Sequence, residues 1–350
     1  MGVFRLAREL QRGRCAIVTY HGVLSGADDR YSFLNHNFVA AEAFERHLRF
    51  LKEHYRPIRL SDLVRCYRRN TTPPPRSVAL TFDDGFANNF TVAFPLLQKH
   101  SFPFTVFLTT AMLDRPGAQL WSERVKRAIY MCPGDSVRLR FPEGETVCQL
   151  NTAAAREDSA RRVLQRLKRL SPRVRDAALE SIESACGRPE LQPHEMERYQ
   201  FLSWAQVRTM AAAGVEFGSH TVSHPILSRL DEPALRLEVA ESKRRIESEL
   251  KQECYALAYP NGSSADFGLR EKSALRAAGY RCALSLAGGL IGAHPDLYEL
   301  DRINIGREFE DATLDAALTG ILGGARRSRE ALRSWRSRRE EAPLTEARSC

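Results

Sequence analysis

No stretch of this chain approaches the roughly 20 consecutive apolar residues of a membrane-spanning helix. Met1 to Arg14 lacks the long apolar core of a secretory leader. The eight cysteines (Cys15, Cys66, Cys132, Cys148, Cys186, Cys254, Cys282 and Cys350) are scattered, and no CxxC pair occurs. With no leader, reduced thiols in a cytoplasmic protein are the expectation. Cys15, Cys254 and Cys282 lie in or beside apolar runs and read as core. Acidic residues are outnumbered, 43 Asp and Glu against 52 Lys and Arg, which leaves a net charge of +9. Such an excess suits anionic partners: phosphates, nucleic acid or an acidic membrane surface. No recognised nucleic-acid motif accompanies the charge, so a nucleic-acid partner is not expected.

What is present is ordinary for a globular chain: 43% hydrophobic and 27% charged residues in 350 positions. That length holds one large domain or two small ones. Chemistry concentrates first in Ser77 to Gly85, S-V-A-L-T-F-D-D-G. Val78, Ala79, Leu80 and Phe82 read as a fully buried strand. The strand runs into Asp83 and Asp84, and adjacent carboxylates there are costly to desolvate. A divalent cation on one, with the other left as a base, offsets that cost. A surface Asp-Asp-Gly turn is the alternative from this stretch alone.

Ligands for such a cation stand elsewhere. Val215 to Phe217 reads as a short strand and leads into S-H-T-V-S-H-P, where His220 and His224 are four apart. One helical turn puts both imidazoles on one face. One Asp and two His leave a position open, as catalytic metal sites require. A third strand end is Tyr255 to Gly262, closed by Pro260-Asn261-Gly262.

Together T-F-D-D-G, S-H-T-V-S-H and L-A-Y-P-N-G resemble the polysaccharide deacetylases of the NodB-homology, carbohydrate esterase family 4 type. The resemblance covers roughly Cys15 to Arg307, with a poorly matching middle. It implies a distorted (β/α)7 barrel, a more specific form of the mostly parallel α/β fold that alternating strands and helices indicate. It implies Asp83 as base and Asp84, His220 and His224 as ligands. Such an O/N site suits Zn, while Co, Ni, Mn or Fe can occupy it. In members beginning with a Y-H strand, like Tyr20-His21, that His takes the general-acid place of a C-terminal L-x-H motif. No L-x-H occurs near the C-terminus, so His21 is the candidate acid and His294 the reserve. A packed or capped His21 reads equally well from the residues alone.

Two positions depart from the family pattern. The Arg of R-P-P-Y-G, which orients the base, is absent from Ala258-Tyr259-Pro260-Asn261-Gly262; Arg302, from the last strand, is expected to substitute. Asn261 stands where an aromatic residue is common. A backbone N–H near Asn261 is the expected oxyanion donor, with Tyr259 beside it at the substrate.

Around these motifs, helices are expected over Phe38–Glu53, Ser61–Tyr67 with Ser61 as N-cap, Phe86–His100, Ser203–Ala213, Pro233–Glu249 and Ala265–Gly279. The charges of Pro233–Glu249 read as a solvated face. The span 111–200 breaks the rhythm and reads as an insertion: helices over Trp121–Tyr130 and Arg161–Leu170, and a hairpin around Pro142-Glu143-Gly144. It forms either a substrate wall or a decoration. Residues 1–14 form a basic amphipathic segment, packed on the body or lying on an anionic membrane surface. Residues 15–324 form the deacetylase domain, closed by Gly323 and Gly324, and residues 325–350 an Arg-rich tail. The function expected is metal-dependent removal of N-acetyl groups from a glycan or lipid-linked sugar. Alternatives are an amidase or esterase on a small acylated molecule, and a non-catalytic basic binding module.

Overall fold

The computed structural model describes residues 2–26, 36–188 and 198–321. Gly323, Gly324 and the 325–350 tail lie outside them. Helix α1 (Gly2–Leu10) precedes the first sheet strand, β1 (Ala16–Tyr20). A small parallel pair follows, β2 (Gly22–Leu24) with β3 (Phe38–Ala40). Then come α2 (Ala41–His54), β4 (Arg56–Pro57), α3 (Leu60–Arg68) and β5 (Ser77–Phe82). A π-helical turn (Asn89–Ala93) runs into α4 (Phe94–Lys99), with Pro95 in its first turn, and then β6 (Phe104–Leu108). Between β6 and the next sheet strand stand α5 (Trp121–Tyr130), the hairpin β7 (Ser136–Phe141) and β8 (Gly144–Gln149), α6 (Ala153–Leu167) and α7 (Pro172–Ala185). The alternation resumes with α8 (Trp204–Ala212), β9 (Glu216–Ser219), α9 (Glu232–Leu250) and β10 (Ala256–Ala258). It ends with α10 (Leu269–Ala277), β11 (Cys282–Leu284), β12 (Ile303–Asn304) and α11 (Asp311–Leu318).

Seven strands form one parallel sheet in the order β11-β10-β9-β6-β5-β1-β12, with β4 added beside β5. The sheet curls into a half barrel, and a parallel bridge from Leu284 to Leu300 brings its two edges together. Sheet and intervening helices form the distorted (β/α)7 barrel that the resemblance implied. β1, β5 and β6 are buried along their whole length, as strands covered on both faces must be. Their period of two divides them cleanly. Val18, Tyr20, Leu80, Phe82, Val106 and Leu108 face the helical layer. Ile17, Ala79 and Phe107 fill the barrel interior, which α3 plugs with Leu60 and Leu63. Gly218 is required by this filling, because a Cβ there would stand 2.4 Å from the Phe107 ring.

The segment between β6 and α8 has a core of its own, with Val125 and Ile129 of α5 packed on Leu139, Val163 and Leu179. Ile226, just after the histidine pair, also joins that core. α1 is tied to the body by Arg8, whose Nη1 donates to the Asp315 carboxylate at 3.0 Å, while Leu6 and Leu10 are exposed.

Several local expectations need correction. Phe38–Ala40 is a strand, and the helix starts at Ala41. Ser61 is not an N-cap: α3 begins at Leu60, and the Ser61 hydroxyl donates to Glu216. Ser203 does cap α8, in a reciprocal capping box with Gln206. Helix α7 was not foreseen. Among the described residues, no helix is long and apolar enough to cross a membrane.

Candidate active site

The inward face of β1 and β5 carries Thr19, Thr81 and, past the strand end, Asp83. All three are buried. Arg302, fully buried at the mouth of β12, reaches across to them. Its Nη1 and Nη2 donate to Asp83 Oδ1 and Oδ2, each at 2.7 Å, a bidentate pair. Nη1 also donates to Thr19 Oγ1 (3.2 Å) and Thr81 Oγ1 (3.3 Å), and Nε to the Ser285 carbonyl (3.1 Å). One guanidinium thus ties together four strand ends, over the Phe107 ring. Burial pushes the Asp83 carboxyl up, but the Arg302 charge and hydrogen bonds outweigh it and hold Asp83 well below the usual carboxylate range.

Asp84 turns the other way. Its backbone is left-handed (φ 70), which Asp tolerates better than most residues, and Gly85 follows at φ 81. Buried Asp84 Oδ1 has no hydrogen-bond partner. It lies 3.5 Å from His220 Nε2 and 3.4 Å from His224 Nε2. Burial, and next the charge of Asp83, push the Asp84 carboxyl well up. Burial likewise lowers both imidazoles, holding them neutral.

The histidine pair is not on a helix, contrary to the spacing argument. Residues after β9 form an irregular loop with left-handed backbone at Thr221 (φ 68) and His224 (φ 62). A β-branched residue at positive φ costs about 1–3 kcal/mol, so the surroundings must enforce it. They do. Glu238 of α9, buried, accepts from the Val222 N–H (2.8 Å), the Ser223 N–H (3.0 Å) and the Ser223 hydroxyl (2.6 Å). Thr221 Oγ1 accepts from the His224 N–H. Trp121 of the insertion donates its indole N–H to the His224 carbonyl at 3.3 Å. His220 Nδ1 pairs with the Ala258 carbonyl at 2.8 Å, which leaves Nε2 for the centre. Glu238 was missed as part of a solvated face. A signal existed: position 238 lies on the stripe of Leu235, Val239, Ser242 and Ile246 that α9 buries.

Asp84, His220 and His224 offer one ligand atom each within 4.8 Å of one another. Ligand atoms around a tetrahedral zinc stand about 3.3 Å apart. The carboxylate–imidazole separations match that spacing, and the orphaned Asp84 oxygen lacks the donor that a hydrogen-bonding role would need. The residues therefore fit a divalent cation.

A cavity of about 560 Å³ opens over this group. His21 lines it with Nδ1 unpartnered, and burial lowers its imidazole to about 4. Asn261 lines it too, at φ 62, with its amide donating to Asp266. Tyr259 does not line it. Its ring stacks on Phe267 at 4.0 Å, its hydroxyl donates to the Tyr298 carbonyl, and its N–H donates to the Leu284 carbonyl. The period of two explains this, because Leu257 and Tyr259 share the helix-facing side of their strand. His294 is exposed and outside the cavity lining. The segment between β6 and α8 also lines the cavity, with Trp121, Glu123 and Lys126 of α5, Glu157 and Arg161 of α6, and Lys168.

A curled parallel sheet with a carboxylate pair and two imidazoles at its C-terminal rim defines a (β/α) barrel protein with its chemistry at the strand ends. The family model for polysaccharide deacetylase matches residues 70–149 and 180–283, and the chain belongs to that family. The poly-beta-1,6-N-acetyl-D-glucosamine N-deacetylase of Escherichia coli K12 is 28% identical over 100 residues, covering 28% of this chain and 14% of that protein. The chain thus spans less than a third of the length of the curated relatives it matches. Among solved structures, the Streptococcus pyogenes deacetylase PplD superposes with a TM-score of 0.59 at 18% identity, over 87% of this chain and 98% of that one. IcaB from Ammonifex degensii gives 0.55 at 18%, over 88% and 97%.

Proposed function

We propose that this chain hydrolyses the N-acetyl amide of an N-acetylated glycan or lipid-linked sugar, releasing acetate and a free amine. The observation that carries the reading is the convergence of Asp84, His220 and His224 beside an Arg-clamped Asp83, at the strand ends of a family barrel. Asp84, His220 and His224 hold a divalent cation, with zinc the best match to the donor set. When bound, the cation supplies Lewis acidity, which lowers the pKa of water and polarises a carbonyl. Asp83 accepts the proton of the attacking water, and Arg302 fixes the carboxylate in register for that transfer. His21 lines the same cavity and is the proposed proton donor to the leaving amine, once its imidazole, neutral in the resting site, has taken up a proton. The backbone at Asn261 lines the same cavity and is the proposed oxyanion donor. His294 and the Tyr259 side chain have no part in this scheme.

We read residues 15–324 as the catalytic domain, 111–200 as its inserted substrate wall, and 1–14 and 325–350 as appendages. The exposed Leu6 and Leu10, next to Arg12 and Arg14, support peripheral contact of a cytoplasmic enzyme with an anionic membrane surface.

The test is acetate release from N-acetylglucosamine oligomers by purified protein, before chelation, after it, and after metal is restored. Release should vanish on chelation, return with zinc, and be abolished in Asp83→Asn, which should still bind zinc in equilibrium dialysis. Release that survives chelation, or full activity in Asp83→Asn, sinks the proposal.

A further inference from the structure

The strand-end residues account for the chemistry but not for the wall that the insertion brings to it. On α5, Lys126 is only 5% exposed, and its ammonium is held at 2.7 Å by Glu123, one turn back. Its charge acts on both Asp84 and His21, so it stands at the reacting end of the cavity. Just past α6, Lys168 lines the same cavity and is half-buried.

The wall carries both signs, so total charge decides nothing. The matching of charges does. Glu123 is neutralised by Lys126, Glu157 by Arg161, and Asp83, at the base of the cavity, by Arg302. Glu308 stands on the barrel side of the cavity. The Lys168 carbonyl accepts from Arg229 Nε at 3.3 Å, while the Lys168 ammonium has no hydrogen-bond or ion-pair partner among the described residues. Its electrostatic neighbours are Asp266, which favours the charge, and Lys126, which opposes it. Burial of the group depresses its pKa, and the more distant Asp266 charge does not offset it. A half-buried lysine lining the cavity without an ion-pair partner is costly unless the occupant brings the anion.

We propose that Lys168 forms an anion subsite, and that the natural substrate carries an anionic group on the unit next to the acetamido sugar. A phosphate ester and a uronate carboxylate share the chemistry such a subsite recognises. The inference rests on the deacetylase reading for which end of the substrate faces Asp84.

The experiment compares kcat/KM for acetate release from three N-acetylglucosamine tetramers by the zinc-loaded full chain: neutral, bearing a 1-phosphate, and containing one hexuronate. The wild type should prefer one or both anionic tetramers by about tenfold or more, the order expected for a hydrogen bond to a charged group. Which one it prefers names the source of the anion. Lys168→Met should collapse that preference towards unity, and Lys168→Arg should keep most of it. No anionic preference in the wild type, or an undiminished one in Lys168→Met, overturns the proposal. If no tetramer releases acetate, calorimetric binding of N-acetylglucosamine 1-phosphate decides. Binding weakened about tenfold by Lys168→Met keeps the anion subsite while the deacetylase reading falls; equal binding removes the subsite as well.

Discussion

Arg302 shows how much can rest on one side chain. It is the largest fully buried side chain among the described residues, and its charge is satisfied by Asp83, two threonines and a carbonyl. Removing one partner of a buried pair strands the other, at about 3–5 kcal/mol. Arg302→Met should therefore lower the unfolding free energy by that order in urea denaturation. Asp83→Asn/Arg302→Met should recover a substantial part of it, since no lone charge is then left buried. A double variant no more stable than Arg302→Met would show that the guanidinium acts through its other contacts. The pairing of Arg302 with Asp83 was legible, because the last strand places an arginine beside the sheet's charged rim. Tyr259 was misread for want of one step: counting by twos from Leu257 sends its ring away from the cavity.

At the scale of elements, the loop after β9 is the part least like its sequence reading. A spacing of four suggested a helix, yet Pro225 follows His224, and the residue before a proline is biased away from the helical region. The imidazoles converge because Glu238 of α9 and Trp121 of α5 hold the loop from two sides. Glu238→Ala should therefore weaken zinc retention about tenfold to hundredfold, as loss of an outer support for metal ligands does. Equilibrium dialysis against zinc measures it, with circular dichroism to show that α9 persists. Unchanged zinc affinity would mean that the loop's geometry does not depend on this carboxylate. Element ends elsewhere drifted by a few residues, as at Phe38–Ala40, where β-branched and aromatic residues pair with β2 before the helix begins.

For the whole molecule, the barrel was readable because its strands are short apolar runs ending in polar motifs. The segment between β6 and α8 was half readable: its hairpin and α5 carry strong patterns, whereas α7 offers a charged, alanine-rich stretch whose inward face is set only by packing. Among the described residues, the segment between β6 and α8 packs around a core separate from those of the barrel layers. Hydrogen exchange should resolve them as two cooperative units, with amides of α6 and α7 exchanging through a lower-energy opening than those of β1, β5 and β6. Zinc should slow exchange in α5 as well, because Trp121 ties that helix to the ligand loop. Uniform protection across both cores would instead mean that they open as one.

The clamp on Asp83 has a consequence for how the protein is made. Asp83 directly follows the third sheet strand in chain order, β5, but its counter-ion lies 219 residues further along the chain. A nascent chain leaving the ribosome must hold that carboxylate in water, and so cannot close the barrel mouth, until the segment around β12 has been translated. Ribosome-stalled chains that end before residue 302 should accordingly be protease-sensitive at the rim and inert, however well their earlier strands have paired.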